Sequence, residues 1–190
     1  PEWFIESCKK ISYLFPRAHA VAYVMMAFRI AWFKVYHPLA FYAAYFSIRA
    51  KAFDLRIMTG DLKTQMTEFN RIKALDRAAS PKDKDLMSAL EVSMEMYQRG
   101  YRFINVDIQH SEARRFSIKD GALLPPFLAI DSLGETVADA IVAEREERPF
   151  TSLKDLQRRC KVSNTIIDLM KELKCCGELP EDEQMSLFGA

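Results

Sequence analysis

One stretch of this chain has the residue types and spacing for phosphate capture: Leu133-Gly134-Glu135-Thr136-Val137-Ala138. A short apolar segment, Pro126–Ile130, runs toward a turn at Leu133-Gly134, and an amphipathic pattern continues from there to Arg145. Glycine at the turn can take backbone angles that a Cβ disfavours, and it lets another backbone come close. A helix opening beside it presents unpaired N–H donors at the positive end of its dipole. A helix-hairpin-helix element needs this arrangement to hold a sugar–phosphate strand without reading bases. The same stretch, taken alone, also fits an ordinary helix start in a globular core.

A second copy lies downstream. Val162 falls on Leu133, Ser163 on Gly134, Thr165 on Thr136, Ile166 on Val137 and Asp168 on Asp139. Ser163 lacks the freedom of glycine and supplies a capping hydroxyl instead. An apolar segment, Phe150–Leu156, precedes this copy too, and two such units can bury each other's apolar faces. The sequence thus predicts a tandem helix-hairpin-helix module over residues 126–178. Its candidate DNA contacts are Leu133, Gly134, Thr136, Val137 and Ala138 in the first copy and Ser163, Asn164 and Thr165 in the second.

No catalytic constellation accompanies the module. His110 and Ser111 are adjacent, but nothing completes a triad with them. Cys8, Cys160, Cys175 and Cys176 form no Cys-x-x-Cys pair, and the three histidines give no metal-ligand spacing. Reduced thiols, no metal and no cofactor in this chain are the expectation. With 27 Lys and Arg against 26 Asp and Glu, the net charge is +1, which argues against a large DNA footprint but not a local one.

The elements that would carry the module read as mainly α. Ala18–Tyr36 is the most apolar run. Its length approaches a membrane span, but His19, Arg29 and Lys34 interrupt it, so a helix buried in a protein core is expected and no membrane partner. His37-Pro38 ends that helix and opens a second, aromatic one through Phe46. Asp54–Gly60 reads as a connector and Asp61–Leu75 as an amphipathic helix. Ser80-Pro81 opens another, with Leu86, Leu90 and Met94 on its buried face, which stops at Gly100. Ile104, Val106 and Ile108 alternate as in a half-buried strand, Phe116 and Ile118 repeat the pattern, and Asp120-Gly121 supplies a tight turn. The expected layout is a helical region over 1–100, a small antiparallel β element over 101–125, the tandem module, and a flexible tail over 179–190. In that tail Met185, Leu187 and Phe188 follow an acidic run, with Gln184 able to bond at a pocket rim; docking on a partner and folding back on this chain both fit.

Phe15-Pro16-Arg17-Ala18-His19-Ala20-Val21-Ala22-Tyr23 resembles the fingers segment of C-family bacterial replicative DNA polymerases, and the tandem module and Gln184–Phe188 follow in the order seen in the PolC type. The chain, which opens on Pro1, reads as a C-terminal portion of such a protein. The resemblance implies that Phe15, Arg17 and His19 lie near the incoming dNTP. It further implies that the module grips primer-template DNA by its backbone, and that Gln184, Met185, Ser186, Leu187 and Phe188 dock on the sliding clamp, alongside other replisome subunits. It implies a cytoplasmic DNA-directed DNA polymerase whose Mg2+ sits in a palm absent from this chain, so that the segment alone is inactive. A DNA-repair accessory using the same hairpins and a helical protein-interaction module are the alternatives.

Overall fold

The computed structural model describes residues 1–10 and 16–182. The fold is mainly α with one two-stranded antiparallel sheet, and the chain divides into two compact units, Pro1–Phe41 and Tyr42–Ala190.

The first unit holds α1 (Glu2–Lys10) and α2 (Arg17–Tyr36). Glu2 lies in the first turn of α1 and Lys9 and Lys10 in its last, complementing the helix dipole. Pro16 precedes α2, and the His37 N–H closes it by donating to the Phe33 carbonyl at 2.8 Å. The expectation of a buried α2 is not met. None of its residues is buried, and Val24, Met25, Trp32 and Phe33 are each about half exposed. The composition that suggested burial is present, but among the described residues the unit to which the helix belongs holds only α1 and the start of the following helix beside it. By length and composition it is also the one described helix that could cross a membrane.

The second unit takes in the buried residues Tyr42 and Phe46 of α3 (Pro38–Ile48). Residues 54–60 are more than a connector: Asp54 caps a single turn, α4 (Leu55–Met58), by accepting from the Ile57 N–H at 3.0 Å. Asp61 caps α5 (Leu62–Leu75) through the Thr64 N–H at 2.8 Å. A capping box between Ser80 and Asp83 opens α6 (Pro81–Gln98), with Pro81 in its first turn, where its missing N–H costs nothing. The chain leaves α6 through Gly100 at φ +86°, a conformation that suits glycine. α5 and α6 pack together through Ile72, Leu90 and a buried hydrogen bond from the Ser93 hydroxyl to Gln65 at 2.7 Å.

β1 (Ser117–Lys119) pairs with β2 (Ala122–Leu124) around Asp120-Gly121, in register Ile118↔Leu123. The strand expected over Ile104–Ile108 reduces to one bridge between Phe103 and Leu123. Val106 and Ile108 are buried as the alternation requires, but local side chains take the backbone bonds a ladder would use. Asn105 Oδ1 accepts from the Val106 N–H at 2.9 Å, Ser111 Oγ accepts from the Asp107 N–H at 3.0 Å, and the Ile108 N–H reaches the Cys175 carbonyl at 3.1 Å. Beyond a 3-10 turn at Phe127–Ala129 come α7 (Glu135–Glu147), α8 (Leu153–Cys160) and α9 (Asn164–Glu172). Their apolar faces share one core with Val106, Ile108, Phe127, Cys175 and Cys176.

Candidate nucleic-acid interface

The two predicted hairpins have matching turns. Ser132 stands at φ +64° and Lys161 at φ +54°, each two residues ahead of a helix cap. Leu133 and Val162 follow and bury their side chains in the shared core, pinning each turn from below. The caps then take nearly the same backbone angles, Gly134 at φ −76°, ψ 156° and Ser163 at φ −72°, ψ 156°. Ala138 and Ile141 are buried on the core face of α7, and Ile167 and Met170 on that of α9. The left-handed residue is therefore not the glycine expected to supply it, but Ser132 two positions earlier. At Gly134 the lack of a Cβ matters for space: a Cβ built there meets nothing within 4 Å. The glycine thus faces an open surface with its backbone bare.

The Val137 and Ala138 N–H groups donate to the Gly134 carbonyl at 3.1 and 3.0 Å, so the donors left at this turn, among the described residues, are those of Gly134, Glu135 and Thr136. At the second turn the Ile166 and Ile167 N–H groups donate to the Ser163 carbonyl at 3.1 and 3.0 Å, leaving the Asn164 and Thr165 amides. Gly134, Thr136, Ser163, Asn164 and Thr165 are all exposed. The start of α8, which lies between the two in sequence, is closed instead. Ser152 accepts from the Asp155 N–H at 3.0 Å, and the Leu153 and Lys154 N–H groups donate to the Pro180 and Glu181 carbonyls at 2.9 and 3.2 Å.

Charge is managed around these turns. Glu135 and Asp139 would repel a phosphate at the start of α7, but Arg114 spans both, with Nε 3.0 Å from Asp139 Oδ1 and a second nitrogen on Glu135. That guanidinium holds the Asp139 carboxyl below the ordinary carboxylate range. Asp155 anchors the join between α7 and α8. Burial pushes its pKa up, but Arg158, the Thr151 N–H, Arg159 and Arg148 outweigh this and hold it low. Arg159 also donates to Glu144 at 2.9 Å and lies 4.8 Å from the Phe150 ring centre. On the other side of α7, Arg145 donates to the Ile108 and Ser111 carbonyls at 3.1 and 2.8 Å. These ties fix the two hairpins against one core.

Residues 100–184 match the helix-hairpin-helix motif family. The chain is also similar over 99% of its length to proteins named DNA polymerase III PolC-type: 49% identical to that of Caldanaerobacter subterraneus subsp. tengcongensis, 50% to that of Streptococcus suis and 48% to that of Streptococcus pyogenes. The likeness therefore runs along nearly the whole of this chain and along one stretch of each PolC-type relative. The chain spans 13% of the length of those relatives.

The remaining predicted residues fall as follows. Arg17 and His19 are exposed in the first turn of α2, where two positions apart means different faces of the helix. The His19 ring packs on Tyr23 at 4.4 Å. Phe15 and the whole of Gln184–Phe188 lie outside the described residues. Leu133 and Ala138 are buried, so those two side chains support the turn from the core. Sequence reading missed Arg114 and Arg145, because nothing in local spacing marks a guanidinium whose partners lie up to 37 residues away, and it passed over Asp155 and Arg159, whose i,i+4 spacing on α8 was a readable signal.

Proposed function

We propose that this segment is the duplex-gripping part of a replicative DNA-directed DNA polymerase. Two backbone turns of one geometry take hold of the sugar–phosphate strand of primer-template DNA. The observation that carries this reading is the pairing of open helix starts at Gly134–Thr136 and Asn164–Thr165, beside a neighbouring helix start that the chain closes for itself. Amides at a helix start suit phosphate, since the donors and the positive dipole end converge and neither distinguishes one base from another.

In the same proposal Phe15, Arg17 and His19 belong to the fingers and face the incoming dNTP. The exposed apolar faces of α2 are covered by other parts of the polymerase rather than by lipid. Gln184–Phe188 docks on the sliding clamp, other replisome subunits join the assembly, and the protein works in the cytoplasm. Polymerisation belongs to the whole protein. In this proposal the Mg2+ of nucleotide transfer belongs to a palm outside this segment. The chain's own contribution is binding and orientation.

A gel shift of the full-length protein on primer-template DNA, with and without sliding clamp, tests the proposal. Retention on duplex regardless of sequence, and more of it with clamp, is the expected result. A preference for branched or damaged DNA over primer-template would favour the repair alternative, and no retention at all would favour the protein-interaction module.

A further inference from the structure

The last described residues make contacts that neither the hairpins nor the fingers require. Leu153 and Lys154 are the first two residues of α8, and their N–H groups have no partner within that helix. The Pro180 and Glu181 carbonyls accept from them at 2.9 and 3.2 Å. Both helices of the second hairpin add a charge pair: Lys154 from α8 to Asp182, and Lys171 from α9 to Glu181 at 2.7 Å. The pair with Lys171 lowers the Glu181 pKa and raises that of Lys171, as mutual charge stabilisation requires. Just upstream, Leu179 packs against the shared core. Backbone, charge and apolar contacts therefore converge on four consecutive residues, ending two residues short of Gln184.

We propose that Leu179–Asp182 is a clasp on the second hairpin that shortens the leash between the DNA-gripping turns and Gln184–Phe188 to two residues, so that clamp and duplex are held in a fixed relation. The inference rests on the reading of Gln184–Phe188 as a clamp-docking motif. Two residues of extended chain reach about 7 Å, whereas a leash starting at Leu179 would be five residues long and reach about 17 Å. Effective concentration falls roughly as the three-halves power of linker length once the span is reached, so opening the clasp should dilute the tethered clamp about fourfold. A clasp that closes the α8 start with main-chain carbonyls also keeps that start from competing for phosphate with its neighbours.

The test uses the full-length protein. Amides at the start of a helix ordinarily exchange with solvent quickly, so hydrogen exchange at Leu153 and Lys154 reads the clasp directly. Slow exchange at both is expected, and unprotected exchange overturns the proposal. A second arm inserts six Gly and Ser residues after Asp182, lengthening the leash from two residues to eight. Binding of clamp in the absence of DNA should stay at the parent level, while retention of clamp on primed DNA falls about eightfold. Parent-like retention by the insertion variant overturns the clasp. Leu187→Ala with Phe188→Ala separates the two claims, because clamp binding that survives this change removes the docking motif itself, whatever the state of the clasp.

Discussion

Gly134→Glu is the sharpest perturbation of the first hairpin. The backbone at this position sits at φ −76°, which any residue adopts, and a Cβ there meets no atom within 4 Å. The substitution should therefore leave the fold and its helical content intact. It does place a carboxylate where the bare amides of Gly134, Glu135 and Thr136 would meet a phosphate. At a separation of about 6 Å the repulsion is about 0.7 kcal/mol with the screening of bulk water and about 3 kcal/mol at the effective dielectric of a protein surface. Those limits correspond to about threefold and about 100-fold in affinity. Because Gly134 is exposed, salt pulls the effect toward the lower limit, so about three- to tenfold weakening is expected near physiological ionic strength. Fluorescence anisotropy of a labelled primer-template with the full-length protein reads the loss, and circular dichroism checks the fold. Gly134→Ser is the control: it copies the Ser163 cap, should add a few tenths of a kcal/mol to the helix start, and should keep duplex binding near the parent level. A Glu variant that folds and binds duplex like the parent at low salt would refute the argument.

Arg114→Ala should also weaken duplex binding, by leaving Glu135 and Asp139 uncompensated beside the same amides; Glu135→Gln with Asp139→Asn in that background should restore it, a rescue that a purely structural role for Arg114 does not give. Asp155 makes its contribution to stability as the anion, because its pKa is held below the ordinary carboxylate value in the fold. That contribution is complete above about pH 4 and is lost as pH falls through the lowered folded-state pKa. Asp155→Asn should cost stability at neutral pH, about 2–4 kcal/mol if three arginines lose one buried partner, and should flatten the acid limb of a melting-temperature profile. An unchanged acid limb would show that another carboxylate sets it.

What was legible in the sequence is what local chemistry decides. Asp61, Ser80 with Asp83, and Gly100 mark helix ends through bonds spanning three residues or fewer, or through one backbone angle, and each stands where the residue types place it. The repeat linking Leu133–Asp139 to Val162–Asp168 was legible because core contacts impose the same buried positions on both copies. Longer-range competition was not legible. The alternation at Ile104–Ile108 marks burial correctly, but Asn105 and Ser111 divert the backbone bonds a strand would need. The apolar run of α2 marks a surface to be covered without saying by what. Gly134 was singled out for conformational freedom that Ser132 in fact supplies. Its actual contribution, an open face over bare amides, depends on what surrounds it in three dimensions.

A net charge of +1 sits awkwardly with a DNA grip only if cations are assumed to do the gripping. Here most of the arginines near the hairpins already have carboxylate or carbonyl partners. Arg114 holds Glu135 and Asp139, Arg145 holds two carbonyls, and Arg148, Arg158 and Arg159 converge on Asp155. These pairings are made within the fold, so under the proposed function what the turns offer a strand is the dipole of the peptide groups themselves. Such a grip carries little of the long-range, salt-sensitive attraction of a basic patch. It acts at contact distance, on any sequence, and lets go without breaking a strong ion pair. Under the proposed function, a surface of that kind suits holding duplex while moving along it, with persistence supplied by the proposed tether. The contacts of Leu179–Asp182 tie this stretch to α8 and α9, the helices of the second hairpin, so the proposed grip and the proposed tether would share one small body.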